Sequence, residues 1–426
     1  MSLSGALSSA ISGLAAQSTA LSMISDNISN ADTTGYKTTS ASFEDLVTAS
    51  SSSTAYSSGG VSVSGFANVA QQGLLAETTT PTNVAIQGSG FFVTTNALSN
   101  GSTYYTRNGA FSTDSSGYLV NNGYYLEGWR TDSSGNIVGS ESPSTLQPIN
   151  TEVAASSAAA STETTFDANL PADAVVNTSA TSTPTPGSSF TSSMTIYDSL
   201  GNPASIQVTW TKTATNTWSA SFASPTSTSN TSTSVGTTSG GPVTLNFNTD
   251  GSLKSTVPSP AAISVTSWTD GAANSSISLN LSSLTQNASN EAAPSVSVTG
   301  ITSDGYAFGT LSSIAVGKNG MVDATYSNGQ TIPIYQIAVA TFPAPDQLSA
   351  NSDGMYSATI DAGNATYQTS GTNGAGTVYG SELESSTTDT SGQFSNMISA
   401  QQAYSAASQV ITTVDKMYDT LISAMR

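Results

Sequence analysis

The sequence contains neither cysteine nor histidine among its 426 residues. The lack of cysteine excludes a disulfide framework and thiolate metal sites. The lack of histidine excludes Ser-His-Asp and Cys-His nucleophilic sites, and with them the common zinc ligand sets. We therefore expect no cofactor, no metal site and no enzyme of these classes. A hydrolase that uses only carboxylates stays formally open and is the least favoured alternative.

Charge is also scarce. Charged residues make up 8% of the chain, against about 25% in typical soluble proteins. The 8 basic residues are scattered among 27 acidic ones, so no basic patch is available to bind phosphates or anionic headgroups. No apolar run approaches the ~18 residues of a membrane span, and the first residues lack the basic region of a secretory signal. We expect neither nucleic-acid binding nor membrane insertion.

The central part of the chain is rich in serine, threonine and glycine and has the pattern of β-structure. Apolar residues alternate with polar ones in "SIQVTW", "PVTLNFN" and "SISLNL", which is typical of strands with one buried face. The continuous run "IPIYQIAVATF" indicates a strand buried on both faces. Asp-Gly and Asn-Gly turn signals recur before aliphatic residues and predict tight hairpins.

Both ends of the chain instead have a heptad pattern. At the N-terminal end Leu7, Leu14, Leu21 and Ile28 are spaced by seven, with Leu3, Ala10, Gln17, Ile24 and Ala31 offset by three. At the C-terminal end the two series are Met397, Tyr404, Ile411, Tyr418 and Met425, and Ala400, Ala407, Val414 and Leu421. Such spacing predicts coiled-coil-like helices, the second of which begins at a capping box formed by Thr390 and Gln393.

These two stripes have two possible partners. Each could pack on the nearest domain core, which is the ordinary role of an amphipathic helix. We favour packing on each other and on other copies of the chain, because matched heptads flank a strand-like body. The predicted core seam of the polymer comprises Leu7, Leu14, Leu21, Ile24, Ile28, Met397, Tyr404, Ile411, Val414, Tyr418 and Leu421. Tyr404 and Tyr418 are bulky for a two-helix seam, so part of that face should meet neighbouring subunits.

No motif predicts a catalytic site. Gly88 and Gly90 in "QGSGFF" are not followed by a helical pattern, as a phosphate-binding loop requires. The "TDSSG" turns at Asp114 and Asp132 lack the ligand pattern of a calcium loop. We interpret Glu382 and Glu384 as solvated charges rather than as an acid-base pair.

Several motifs together resemble a known family. "SGLAAQSTALSMISDNISNADTTGYK", with Asn27, Asn30, Gly35 and Lys37, is similar to the opening signature of the rod, hook and filament axial proteins of the bacterial flagellum. "GSGFFV" and "YTRNGAFSTDSSGYLV" resemble the shaft domain of that family. "TIYDSLGN", with Tyr197, Asp198 and Gly201, and the later "YSNGQT" resemble the hook proteins in particular. The last 40 or so residues resemble the C-terminal signature of the family.

The resemblance implies an α+β multidomain fold in which terminal helices form a coiled-coil-like inner domain. This domain should comprise residues 1–32 and 385–426, and a linker 33–71 and 378–384. A β-rich shaft should comprise residues 72–147 and 300–377, and an inserted outer β domain 148–299.

The resemblance also implies a function and partners. The chain would be the structural subunit of the flagellar hook, an extracellular, flexible, curved tube that transmits motor torque to the filament. Its partners would be other copies, the distal rod protein, the hook cap, the hook-filament junction proteins and the flagellar type III export apparatus, which needs no cleaved signal peptide. A distal-rod or hook-filament junction protein is the alternative, followed by a secreted β-rich adhesin.

Overall fold

A computed structural model describes residues 3–46, 59–154, 156–179, 183–289, 291 and 293–424. The chain divides into two compact units. The terminal unit comprises residues 1–153, 313–324 and 331–426, and the inserted unit comprises residues 154–312 and 325–330. The described chain is mostly β, with one long helix near each end. This confirms the predicted combination of terminal helices with a β-rich body.

The two long helices are α1 (Leu3–Ser29) and α2 (Thr390–Ala424). At 1.5 Å per residue they are about 40 and 52 Å long. The side chain of Asp389 accepts a 3.1 Å hydrogen bond from the backbone N–H of Ser391. Aspartate is a preferred N-cap because its carboxylate satisfies a free N–H group of the first turn. The predicted capping residue, Thr390, is the first helical residue instead.

The strands are numbered in chain order. The first ten are β1 (Thr39–Asp45), β2 (Val61–Ala67), β3 (Leu75–Glu77), β4 (Val84–Gln87), β5 (Phe91–Thr95), β6 (Thr103–Thr106), β7 (Ser112–Thr113), β8 (Leu119–Asn121), β9 (Tyr124–Arg130) and β10 (Gln147–Pro148). The next fourteen are β11 (Ser156–Ala159), β12 (Glu163–Pro171), β13 (Ser189–Tyr197), β14 (Pro203–Ala214), β15 (Thr217–Phe222), β16 (Thr226–Ser227), β17 (Thr237–Ser239), β18 (Val243–Phe247), β19 (Leu253–Val257), β20 (Ala262–Thr266), β21 (Ser275–Asn280), β22 (Thr285–Asn287), β23 (Ser297–Ser303) and β24 (Tyr306–Val316). The remainder are β25 (Met321–Tyr326), β26 (Thr331–Ile337), β27 (Val339–Thr341), β28 (Ser349–Ala350), β29 (Met355–Ser357), β30 (Thr366–Gln368), β31 (Thr377–Gly380) and β32 (Glu382–Glu384). Short 3-10 helices span Pro143–Thr145, Thr151–Ala154, Lys318–Gly320, Pro345–Gln347 and Ser352–Gly354.

The terminal unit is built around an antiparallel sheet with the strand order β26-β9-β5-β6-β29-β28. Strand β27 continues this sheet on β5, and the hairpin of β7 and β8 joins it through β9. Two smaller pairs, β3 with β32 and β4 with β31, join early strands to late ones. Fully buried aliphatic and aromatic residues such as Phe92, Leu126 and Ile337 fill its core.

A two-stranded hairpin of β1 and β2 packs along α1 within the terminal unit. Its register pairs Ala41 with Gly65, and a Cβ atom on Gly65 would lie 2.5 Å from the Met23 methyl group on α1. The strand therefore lies directly against the end of the Met23 side chain. The hairpin lies in the segment that the sequence assigns to a linker.

The inserted unit contains two sheets, with the orders β17-β20-β21-β12-β22 and β13-β14-β15-β18-β19. Strand β23 pairs with β12, and β16 pairs with β14. Ile206, Val208 and Trp210 of β14 are all fully buried, as the alternation in "SIQVTW" predicts. Trp210 packs edge-on against Phe166, with ring centroids 5.7 Å apart. The unit thus has a continuous hydrophobic core of its own.

Candidate assembly site

The two terminal helices form an antiparallel pair. The side chain of Asn27, near the end of α1, donates a 3.3 Å hydrogen bond to Gln393 in the first turn of α2. Ala20 of α1 and Ala400 of α2 are buried and line the same groove between the helices. Small residues at a helix contact let the two backbones come close together.

All eleven residues of the predicted seam lie on this helix pair. Val414 is buried, whereas Tyr404, Tyr418 and Leu421 are exposed. The other members are partly buried: Leu7, Leu14, Leu21, Ile24, Ile28, Met397 and Ile411. The stripe is therefore only partly covered within one chain. Its role as the core of a polymer stays a prediction.

Asn27 is a buried junction between three elements. Its amide donates to the carbonyl of Thr39 at 2.8 Å and to Gln393, while its oxygen accepts from the N–H of Thr39 at 2.9 Å and from the Tyr36 hydroxyl at 3.0 Å. These bonds tie the end of α1 to β1 and to the start of α2. Asn30 acts locally, since its amide donates to the carbonyl of Asp26 at 2.9 Å.

Gly35 allows the chain after α1 to pass close to another backbone segment. Its φ of +70° lies in the left-handed region, and a Cβ atom there would lie 2.8 Å from the backbone nitrogen of Asn108. Its own N–H donates a 2.7 Å hydrogen bond to the carbonyl of Glu384. A side chain at this position would therefore be strained and would also clash.

Two residues after Gly35, Lys37 begins a buried ion cluster. Its ammonium lies 2.6 Å from Glu384 Oε1, and both side chains are 0% exposed. Glu384 Oε2 lies 3.3 Å from the guanidinium of Arg107. The backbone N–H of Gly73 also donates to Glu384, at 2.6 Å, and Lys37 donates to the carbonyl of Gln71. The interpretation of Glu384 as a solvated charge is wrong, because the carboxylate is enclosed by two cations and a backbone donor.

Burial determines the electrostatics of this cluster. Burial lowers the pKa of both Lys37 and Arg107, and the negative charge of Glu384 opposes that shift at each. Arg107 also donates to the carbonyl of Gly88 at 2.8 Å and lies 5.3 Å from the centre of the Phe91 ring. Three sequence segments, separated by as many as 347 residues, thus meet at one carboxylate.

The second signature, in the inserted unit, forms a turn. Asp198 is buried and accepts hydrogen bonds from the backbone N–H groups of Leu200 at 2.8 Å and Asn202 at 2.9 Å. Gly201 has a φ of +81°, and a Cβ atom there would lie 2.5 Å from the backbone nitrogen of Phe308. Tyr197 is held through its backbone N–H, which donates to Ser161 at 2.9 Å. These contacts show that Tyr197, Asp198 and Gly201 have a structural role in forming this turn.

Within the described ranges no helix is long and apolar enough to cross a membrane. In the same part of the chain no three acidic side chains are grouped so as to hold a metal ion.

Models of four flagellar families match the chain. A "Flagella basal body rod protein" model matches residues 7–37, and a "Flagellar hook protein FlgE/F/G D1 domain" model matches residues 85–175. A "Flagellar basal body protein FlaE D2 domain" model matches residues 166–306. A "Flagellar basal body rod FlgEFG protein C-terminal" model matches residues 380–424.

Full-length relatives agree with these matches. The flagellar hook protein FlgE of Rhizobium meliloti is 32% identical over 439 residues, which cover 100% of both chains. The flagellar hook protein FlgE of Escherichia coli is 33% identical over 426 residues, covering 98% of this chain and 99% of the relative. The chain belongs to the flagellar hook protein family. The predicted family, and the predicted role as a structural hook protein of the flagellum, are confirmed.

A solved hook protein has a similar fold. The crystal structure of the Helicobacter pylori flagellar hook protein FlgE2 aligns with a TM-score of 0.53 and 14% identity, over 73% of this chain and 100% of that one. At this identity the likeness concerns the fold alone. The matches at the two ends of this hook protein contain Asn27, Lys37 and Glu384, so the helix junction and the buried ion cluster lie within family-matched sequence.

Proposed function

We propose that this hook protein is the repeating subunit of an open helical tube that works as a universal joint. The tube transmits torque from the flagellar motor to the filament and bends as it rotates. The observation that carries the proposal is the apolar stripe of α2, whose residues Tyr404, Tyr418 and Leu421 are exposed in the single chain. Packing this stripe against other copies would bury it. Each Å² of buried apolar surface would stabilise the assembly by about 25 cal/mol.

In this proposal the helix pair forms the inner, coiled-coil-like domain from residues 1–32 and 385–426. Residues 33–71 and 378–384 connect it to a β-rich shaft of residues 72–147 and 300–377, and residues 148–299 form the outer domain. The buried cluster of Lys37, Arg107 and Glu384 supports a stiff connection between helix pair and shaft, because it joins residues of three of these segments. Stiffness at this place is what torque transmission requires.

The exterior of the inserted unit suits sliding contacts between neighbouring subunits. Both ion pairs found among the described residues lie in the terminal unit. Segments such as "TSTSNTSTSVGTTSGG" carry hydroxyl groups rather than charges or large apolar side chains. Contacts of this kind exchange readily with water, and none of them acts as a dominant anchor.

The remaining parts of the proposal follow from the same family resemblance. The chain would leave the cell through the flagellar type III apparatus without a cleaved signal, and it would not catalyse a reaction. In the assembled flagellum its neighbours would be the distal rod, the hook cap during growth and the hook-filament junction proteins. A distal-rod or junction protein is the second candidate function.

Electron microscopy of the purified, polymerised chain tests the proposal. A curved tube is expected for a hook subunit, whereas a short straight tube would indicate a rod or junction protein. Deleting residues 394–426, which removes almost all of α2, should abolish tube formation. Polymerisation that survives this deletion would favour the adhesin alternative, since an adhesin does not need the terminal heptads.

A further inference from the structure

The apolar stripe of α2 continues beyond the part of the helix that α1 covers. Val414 is 4% exposed, whereas Met417, Leu421 and Ile422 are 55, 56 and 60% exposed. One turn thus separates a buried residue from exposed apolar ones on the same side of the helix. We call residues 417–422 the α2 tip.

The register of the helix pair explains this change. Asn27 and Gln393 are in contact, and antiparallel helices advance by the same 1.5 Å per residue. Counting from that contact, Leu3, the first residue of α1, is level with Met417 of α2. The α2 tip therefore extends past the described part of α1.

A groove of about 480 Å³ lies near the other end of the helix pair, between α1, β1 and α2. All of its lining residues are uncharged. Seven of its thirteen lining residues are apolar, and the other six carry hydroxyl or amide groups; the apolar ones are Ala20, Met23, Ile24, Ala41, Phe43, Ala400 and Ala403. Phe43 of β1 lines this groove and is half exposed. We call this concavity the hairpin groove.

We infer that the α2 tip of one copy occupies the hairpin groove of a second copy. The inference rests on the proposed function, because it names the contact through which the terminal helices would join. The tip is continuous with the contact between α1 and α2, so its apolar side chains already lie on the face that packs against helices. These apolar side chains can be buried in an uncharged concavity with apolar walls, and the hairpin groove is uncharged and lined in its larger part by apolar residues.

The geometry excludes filling of the groove within one chain. The tip and the groove-lining part of α2 are about twenty residues apart on one helix, roughly 30 Å at 1.5 Å per residue. A chain cannot place its own tip in its own groove. Because the contact joins two different surfaces, each added copy presents a new free tip or a new free groove. Such a heterologous contact extends without closing, as an open polymer requires.

Disulfide cross-linking tests this contact, and the absence of native cysteine makes the test clean. The first variant carries L421C in the tip and S399C in the groove lining. The matched control carries S423C and S399C, since Ser423 lies at the same level but about 160° around the helix from Leu421. Each variant is assembled with an equal amount of the unmodified chain, so that tubes form even if a cysteine weakens one contact.

After mild oxidation, the L421C/S399C variant should yield cross-linked dimers and longer multimers on a non-reducing gel. We expect about tenfold more cross-linked product than in the control, because a disulfide forms only where the Cα atoms approach within about 7 Å. Equal yields in the two variants, or no cross-link within well-formed tubes, would overturn the inference and leave the proposed function standing. Failure of the unmodified chain to form any tube would overturn the proposed function itself.

Discussion

The inserted unit and the helix pair differ in how far their large apolar side chains are buried. In the inserted unit Phe166, Trp210 and Trp218 are completely buried between two sheets of the same chain. In the helix pair the buried positions are mostly alanines, while large residues such as Ile398 and Ile422 face solvent. The first region has a closed core, and the second has an apolar surface that one chain leaves open.

This difference indicates where stability resides in the free subunit. A closed core gains its burial energy on folding, without help from other copies. An open stripe gains most of its burial energy only when another surface covers it. The free energy of unfolding of the monomer should therefore depend strongly on the inserted unit and on the buried ion cluster, and weakly on the exposed stripe of α2.

The largest effect is expected for W210A in the inserted unit. Trp210 is fully buried and donates a 2.8 Å hydrogen bond from its indole to Ser192. Removing a large buried aromatic side chain should lower the free energy of unfolding by about 3–5 kcal/mol. Urea unfolding followed by circular dichroism measures the loss. As a control, W210F keeps an aromatic ring and should cost less. A loss below about 1 kcal/mol for W210A would contradict the closed core, because it would place Trp210 among exposed residues.

The next effect is expected for E384Q in the terminal unit. Glutamine keeps an acceptor for Gly73 but removes the charge between Lys37 and Arg107. Two cations would then remain buried without a counterion, at a cost of about 3 kcal/mol in the free energy of unfolding. Thermal and urea unfolding of the monomer measure it.

The matched control is E382Q, two residues earlier on β32, where the glutamate has no buried cationic partner among the described residues. It should change the free energy of unfolding by no more than about 0.5 kcal/mol. Similar losses for both variants would show that charge on β32 matters in general, and would contradict a specific role of the buried cluster.

A smaller loss is expected for N27A. It leaves the backbone N–H of Thr39 and the hydroxyl of Tyr36 without their acceptor in a partly buried place. Unmet hydrogen bonds of this kind cost about 1–3 kcal/mol. Hydrogen exchange should show faster opening at the end of α1 and the start of β1. The control N30A, on a residue with local contacts only, should leave exchange in β1 unchanged, and faster exchange there would oppose the assigned junction.

The heptads and alternating patterns predict both terminal helices and the strands of the inserted unit because these features are local. The alternating spacing of Ile206, Val208 and Trp210 along the strand is enough to predict that they are buried. The ion cluster has no such signal, since Glu384 looks like any surface charge and its partners lie 347 and 277 residues away. A predicted pairing would have required knowledge of the tertiary structure.

The sequence predicts that the two helices pack on each other, but it does not predict all the residues of that contact or the hairpin. The heptads emphasise leucines such as Leu14, whereas the contact with α2 also uses small residues such as Ala20. Ala10 and Ala400 belong to the heptad series, but the equally buried Ala20 does not. The hairpin of β1 and β2 is rich in serine, and no local pattern predicts that Gly65 packs against Met23.

A pH-dependent effect is expected for D304N in the inserted unit. Burial alone would raise the pKa of Asp304, but hydrogen bonds from Glu163 and Thr162 hold it below its ordinary value of 3.8. A carboxylate with a lowered folded pKa stabilises the fold above the unfolded pKa, and this contribution is lost as pH falls through the folded pKa.

The unmodified chain should therefore lose more stability than D304N between about pH 5 and the acid end of the profile. Urea midpoints measured at several pH values give the comparison. Parallel profiles for the two proteins would show that Asp304 has the same pKa in the folded and unfolded states.

The smallest effect on the monomer is expected for I422A in the α2 tip. Ile422 is exposed in the single chain, so truncating it should change the free energy of unfolding by less than about 0.5 kcal/mol. On the same helix V414A removes buried methyl groups and should cost about 1–2 kcal/mol, at roughly 0.8 kcal/mol for each. Dilute monomer, measured by urea unfolding in the helical circular dichroism band, provides both values. If I422A lowers the free energy of unfolding as much as V414A does, the tip is already covered within one subunit. The contrast between a closed core and an open helix stripe would then be wrong for the most exposed part of that stripe.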